Sequence, residues 1–238
     1  MNHKLWEAYL AIGRKVESGG RNDDWGNGSP ANVQMQQGFV DLFRQHLKPL
    51  ARVLAPGAMR EAVILAQAGY EVWSLLLGPD NVAKLAEEAA KLRLSERLHV
   101  LEQDAHDLTN FEEGFFDGYF TVQFHEHLIA PCVHIGEVFH VMRPGGVLFV
   151  DACGTTNDAC KMIWHTNLVP ERTVLEQWQF WGFKEIWRGP YGDDRPQFIL
   201  ERRPADEGKN AGYLQWISRL RRGEEISYLY HCAACKRG

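Results

Sequence analysis

Between Ala51 and Ala152 short apolar runs alternate with amphipathic helical patterns, and few architectures accept that rhythm. The runs are Arg52 to Ala55, Glu71 to Leu77, Leu98 to Glu102, Gly118 to Val122 and Val147 to Ala152. The helical patterns fall at 60–68, 80–93 and 132–142. Strands joined through helices need right-handed crossovers, which lay the strands parallel and cover the sheet on both faces. The expected fold is α/β, a doubly wound and mainly parallel sheet.

The pattern loosens after Ala152. A helix is expected from Glu171 to Trp181, followed by two strand-like runs, Phe183 to Arg188 and Gln197 to Arg202. They flank Tyr191-Gly192-Asp193-Asp194, which reads as the turn of an antiparallel edge hairpin. Ahead of the α/β region, apolar residues at helical spacing mark Lys4 to Val16 and Ala31 to His46, the second ending before Pro49. The polar loop between them, Ser18 to Pro30, is expected to bring Trp25 over the strand ends. A linker, Pro204 to Ala211, leads to a helix, Tyr213 to Arg222, and an apolar segment, Ile226 to Tyr230. The chain divides into an N-terminal helical lid region (1–50), the α/β domain (51–203) and a C-terminal extension (204–238).

Composition removes several function classes. A net charge of −5 with ten histidines is no footprint for a nucleic-acid backbone, and Arg219, Arg221 and Arg222 read as a solvated helix face. Met1 to Tyr9 holds no apolar run long enough for a signal peptide or a membrane span, so the cytoplasm is the expected location. Five irregularly spaced cysteines, Cys132, Cys153, Cys160, Cys232 and Cys235, read as free thiols. His231-Cys232-Ala233-Ala234-Cys235 is half a zinc site by spacing, but no second pair completes it, so no metal is expected. His125, Glu126 and His127 have the residue types of an acid–base or metal cluster, but capping and packing at the start of a helix explain them without chemistry, and that is the reading taken. Trp164, Trp178, Trp181 and Trp187, with Phe180 and Phe183, read as core, although a lid or partner surface uses the same residue types.

Two segments carry a family resemblance. They are Phe116-Asp117-Gly118-Tyr119-Phe120-Thr121-Val122-Gln123-Phe124-His125-Glu126-His127-Leu128 and Val141-Met142-Arg143-Pro144-Gly145-Gly146-Val147-Leu148-Phe149-Val150. Together they resemble the fourth strand and the "leader, Pro-Gly-Gly, fifth strand" element of class I S-adenosylmethionine (SAM)-dependent methyltransferases of the small-molecule, type 11-like kind. The resemblance spans residues 50 to 202 and implies a Rossmann-like sheet, to which the antiparallel hairpin also conforms. Arg143-Pro144-Gly145-Gly146 reads as the turn that stops a helix and feeds a buried strand.

The same resemblance places the cofactor positions at Gly57, Ala58, Leu76, Leu77, Asp104, Ala105, Thr121, Val122 and Gln123. A typical member ends its first strand with an acid and then supplies two or three glycines, whose backbone approaches the amino-acid end of SAM. This chain reads Val53-Leu54-Ala55-Pro56-Gly57-Ala58-Met59, with alanine at the acid's position and one glycine. The second strand should end in the carboxylate that accepts the ribose hydroxyls, and here Leu76 stands there; Asp80 belongs to the start of the next helix. A lost hydrogen bond to a charged group costs about 1.5–3 kcal/mol, so two losses, with a first loop about two residues short of the family's, weaken binding by roughly three orders of magnitude or more. Standard SAM binding is therefore not expected. Asp104 is a candidate adenine contact or a turn residue, and no catalytic residue is assigned.

Three functions follow from the resemblance. The chain is a pseudo-methyltransferase acting as a noncatalytic partner or scaffold, a protein whose pocket is reused for another ligand, or an active divergent methyltransferase of small molecules. Its partner is accordingly a protein or a small molecule, with neither nucleic acid nor membrane indicated.

Overall fold

The computed structural model describes residues 30–152, 169–191 and 195–204. In chain order the elements are α1 (Pro30–Arg44), β1 (Arg52–Leu54), α2 (Arg60–Gln67), β2 (Glu71–Leu76), α3 (Pro79–Lys91) and β3 (Leu98–Glu102). There follow β4 (Phe116–Phe120), a 3-10 turn (His125–His127), α4 (Pro131–Val141), β5 (Met142–Asp151), α5 (Glu171–Phe180), β6 (Phe183–Tyr191) and β7 (Arg195–Arg202). The strands form one sheet in the order β3-β2-β1-β4-β5-β7-β6. β1 to β5 run parallel, and β7 lies antiparallel between β5 and β6. This is the doubly wound, Rossmann-like sheet with an antiparallel edge hairpin.

Period-two alternation sends successive side chains to two cores. Val53, Val72, Leu76, Phe120 and Phe149 face Phe39, Val40 and Phe43 of α1, Leu65 of α2 and Leu85 of α3. Leu54, Leu75, Tyr119, Leu148 and Val150 face Ile135, Val138 and Phe139 of α4 and Val174 and Trp178 of α5. Gly118 is the point of closest approach. A Cβ there would lie 2.5 Å from Leu47 Cδ2 and 3.0 Å from Phe43 Cζ, so α1 and the turn after it rest on β4 because that residue has no side chain. Gln36 Nε2 donates to the half-buried Glu61 across 2.7 Å and ties α1 to α2.

The bounds of β4 and β5 differ from the sequence expectation in ways that matter for the site, while β6 runs on to Tyr191 and β7 starts at Arg195. β4 begins at Phe116 and ends at Phe120, so Thr121 and Val122 lie past the strand, although the Thr121 N–H still bonds Phe149 O at 3.1 Å. β5 begins at Met142 rather than Val147, and Arg143-Pro144-Gly145-Gly146 is a bulge within it rather than a turn before it. Phe116 pairs with Met142 and Gly118 with Val147, leaving the four residues opposite Asp117. The Asp117 carboxylate pins the bulge by accepting from Arg143 Nε at 2.6 Å and from the Arg52 N–H at 2.8 Å. Gly145 takes a positive φ of +75° within the bulge, a conformation that glycine adopts without strain. The expectations for the lid helix, Trp25, Trp164, Cys232, Cys235 and the helix Tyr213 to Arg222 lie outside the described residues.

Candidate functional site

From β1 the chain winds through β2 to β3 on one side, then returns to place β4 on the other side of β1. In a doubly wound sheet such a reversal opens a crevice beyond the carboxyl ends of the two diverging strands, where ligands are received. The loops after β1 and β4 line it.

After β1, Ala55 and Ala58 are buried in the core under α2, and Gly57 turns with φ +71° while its N–H donates to Leu75 O at 2.9 Å. Ser74, buried in β2, donates its hydroxyl to Ala58 O at 2.5 Å. Leu76 ends β2 with its side chain in the same core as Ala55 and Ala58; Leu77 follows, half-buried. Asp80 lies in the first turn of α3, behind Gly78 at the cap and Pro79.

After β3, Asp104 Oδ1 accepts from both the backbone N–H and the ring Nδ1 of His106, at 3.0 and 2.8 Å. This carboxylate oxygen thus closes its own turn and fixes the imidazole. Ala105 is buried, and its carbonyl accepts from His134 Nδ1 at 2.7 Å. That bond puts the His134 proton on Nδ1, and Nε2 accepts from the Tyr119 hydroxyl at 2.8 Å. Burial, with the neighbouring His106 second, pushes His134 down to about 3, and burial raises Tyr119 far above the usual phenol range. Both stay neutral, forming a polar bridge between α4 and the carboxyl end of β4.

After β4, Thr121 is buried, Val122 half-buried and Gln123 exposed. Gln123 adopts φ +53°, uncommon for a residue with a Cβ, and its N–H donates to the buried Asp151 at 2.8 Å. Phe124 follows. His125 and Glu126 lie buried in the 3-10 turn that precedes α4. His125 Nε2 donates to Gln177 Oε1 at 2.9 Å, and burial pushes its pKa down to about 4. Among the described residues no three His, Cys, Asp or Glu side chains converge as a metal site.

Gly57, Leu76, Asp104 and Thr121 accordingly stand at the same sheet edge, at or just beyond the ends of β1 to β4. Sequence reasoning did not single out Phe124, Asp151, His106, His134 or Tyr119, whose roles come from contacts between elements distant in the chain. Trp178 and Trp181 are buried, Trp178 meeting Tyr119 and Phe183 with ring centroids 5.4 and 5.1 Å away, whereas Phe180 is exposed. A separate depression of about 420 Å³ lies between α5 and β6, lined by Glu171, Arg172, Leu175, Glu176, Gln179 and Arg188. Its arginines are paired within it, Arg188 to Glu171 at 3.0 Å and Arg172 to Glu176 at 2.7 Å.

The strand order, the reversal between β1 and β4 and the antiparallel final pair define the class I SAM-dependent methyltransferase fold for the α/β domain. Within it, the family described as "Methyltransferase domain" matches residues 53–150. Similar solved structures include 1,6-didemethyltoxoflavin-N1-methyltransferase from Burkholderia thailandensis, with bound 1,6-didemethyltoxoflavin and S-adenosylhomocysteine. It is 19% identical over 83% of this chain and 90% of its own, with a TM-score of 0.64. Geranyl diphosphate C-methyltransferase from Streptomyces coelicolor, in complex with Mg2+, geranyl diphosphate and S-adenosyl-L-homocysteine, is 11% identical over 82% and 98%, with a TM-score of 0.64. The [4+2]-cyclase SpnF is 17% identical over 71% and 81%, with a TM-score of 0.61. At these identities the likeness is one of fold. No curated protein sequence matches the chain.

Proposed function

We propose that this protein is a methyltransferase-fold protein that does not hold SAM in the standard pose, and that it serves as a noncatalytic partner or scaffold. The observation that carries this reading is that Ala55 and Leu76, at the ends of β1 and β2, are both buried in one apolar core. A fold member holds SAM there with carboxylates, and buried ribose hydroxyls set against leucine lose their partners at about 1–3 kcal/mol each. The residues present do not fit the cofactor. A pocket reused for another ligand is the related reading, and the presence of a cyclase among the similar structures supports it. The second reading, an active methyltransferase of small molecules, draws its support from neighbours that carry S-adenosylhomocysteine.

Calorimetric titration of SAM and S-adenosylhomocysteine decides between them. The expected result is no saturable binding at micromolar concentrations and no thermal shift, whereas a ligand at a hundredfold excess over its dissociation constant would stabilise the fold by about 2.7 kcal/mol. Saturable binding would promote the active enzyme. Leu76→Asp is expected to destabilise the protein without restoring affinity, because it buries a charge in the core that now holds Leu76.

A further inference from the structure

Gly57 and Phe124 face one another across the crevice where β1 and β4 part. A Cβ built on Gly57 would lie 2.7 Å from Cδ2 and 3.1 Å from Cε2 of Phe124, so the phenyl ring rests directly on the glycine backbone. Glycine at the head of a nucleotide-binding loop exists to let something come that close. In this protein the visitor is a side chain of the same molecule.

We propose that Phe124 is the resident occupant of the crevice, filling from within the place the fold reserves for the amino-acid end of a nucleotide cofactor. This rests on the reading that SAM is not held there in its standard pose. The loop carrying the ring is tied on both sides. Before it, Gln123 takes a left-handed conformation, φ +53°, and gives its N–H to Asp151, a carboxylate buried at the end of β5. After it, the buried His125 bonds Gln177 of α5 at 2.9 Å. The ring also meets His134 edge-to-face, with centroids 5.5 Å apart, and Tyr119 and Ala105 O hold that imidazole in place. Glycine backbone below, an imidazole beside and anchors at both ends make a seat shaped for a flat apolar group. Phe124 is half-buried, so removing the ring leaves a seat between Gly57 and His134 that a small aromatic molecule can enter from solvent.

Two measurements test the contact and the seat. In the wild-type chain Gly57→Ala sets a methyl against the ring and strains a positive φ; in a Phe124→Ala chain only the strain remains. The drop in urea midpoint caused by Gly57→Ala should therefore shrink by at least half in the Phe124→Ala background, and equal drops would overturn the inference. Phe124→Val, too short to reach the glycine, replaces Phe124→Ala in the cycle if that variant does not fold. Benzene should raise the melting temperature of the Phe124 variant and leave the wild type unmoved; no shift in the variant, or equal shifts, would overturn the seat. S-adenosylhomocysteine separates this inference from the reading beneath it. Binding to the wild type ends that reading. If the Phe124 variant then binds at least tenfold tighter the ring stands as the occupant, and equal affinity refutes it.

Discussion

Mild acid should destabilise this domain, because two histidines are buried neutral in the polar layer beyond the ends of the strands. His134 sits at about 3 and His125 at about 4, both chiefly through burial, against an ordinary value of 6.5. Each folded-state value lies below the unfolded one, so their contribution is full above about pH 6.5 and drains away as pH falls through the window toward 4 and 3. At pH 5 the unfolded chain binds a proton at each site that the folded chain refuses, a loss of about 2 kcal/mol per histidine at 1.36 kcal/mol per pKa unit. The pair removes about 4 kcal/mol from a fold whose total is about 5–15 kcal/mol. Glu61 opposes this. Burial raises its carboxyl, so the folded state takes that proton first and gains stability as pH falls toward 4.5. Urea denaturation at pH 7.5 and pH 5 measures the difference, with His134→Gln and Glu61→Gln as companions. His134→Gln should be weaker at pH 7.5, having disturbed the bonds to Tyr119 and Ala105, yet lose roughly half as much on acidification. Glu61→Gln should lose more than the wild type. Equal wild-type stability at both pH values, or a pH loss in His134→Gln matching the wild type, would refute the reasoning.

Three substitutions probe the packing that shapes the site. Gly118→Ala places a methyl 2.5 Å from Leu47, and overpacking of that kind should cost about 1–3 kcal/mol in chemical denaturation. Asp117→Ala removes the acceptor for the Arg52 N–H and the Arg143 guanidinium and should cost about 1–3 kcal/mol; hydrogen exchange should show faster opening at residues 143–146 with β2 protected as before. Trp178→Ala empties a fully buried site against Tyr119 and Phe183, and differential scanning calorimetry should register a loss of about 3–5 kcal/mol.

The alternation between Ala51 and Ala152 was enough to establish the parallel sheet, and the turn residues after Tyr191 pointed to the hairpin, because strand and helix periodicities are local properties of the chain. The identity of Ala55 and Leu76 at the ends of the first two strands was equally legible. Arg143 to Gly146 was harder to read: a turn and a bulge ask for the same residues, and only the pairing of Phe116 with Met142 and of Gly118 with Val147 distinguishes them. Asp104 is likewise legible as a turn former or a ligand contact, and its bonds to His106 are what the tertiary structure adds. The contacts that decide the crevice were out of reach. Nothing local in Phe124 announces that its ring lies on Gly57, or in His134 that its proton points to Ala105. Those meetings depend on the order of strands: β4 pairs with β1 only after the chain has passed through β2 and β3, so residues far apart in sequence become neighbours by topology. Periodicity specifies the elements and their buried faces, whereas the sheet order determines which side chain fills the space between the loops after β1 and β4.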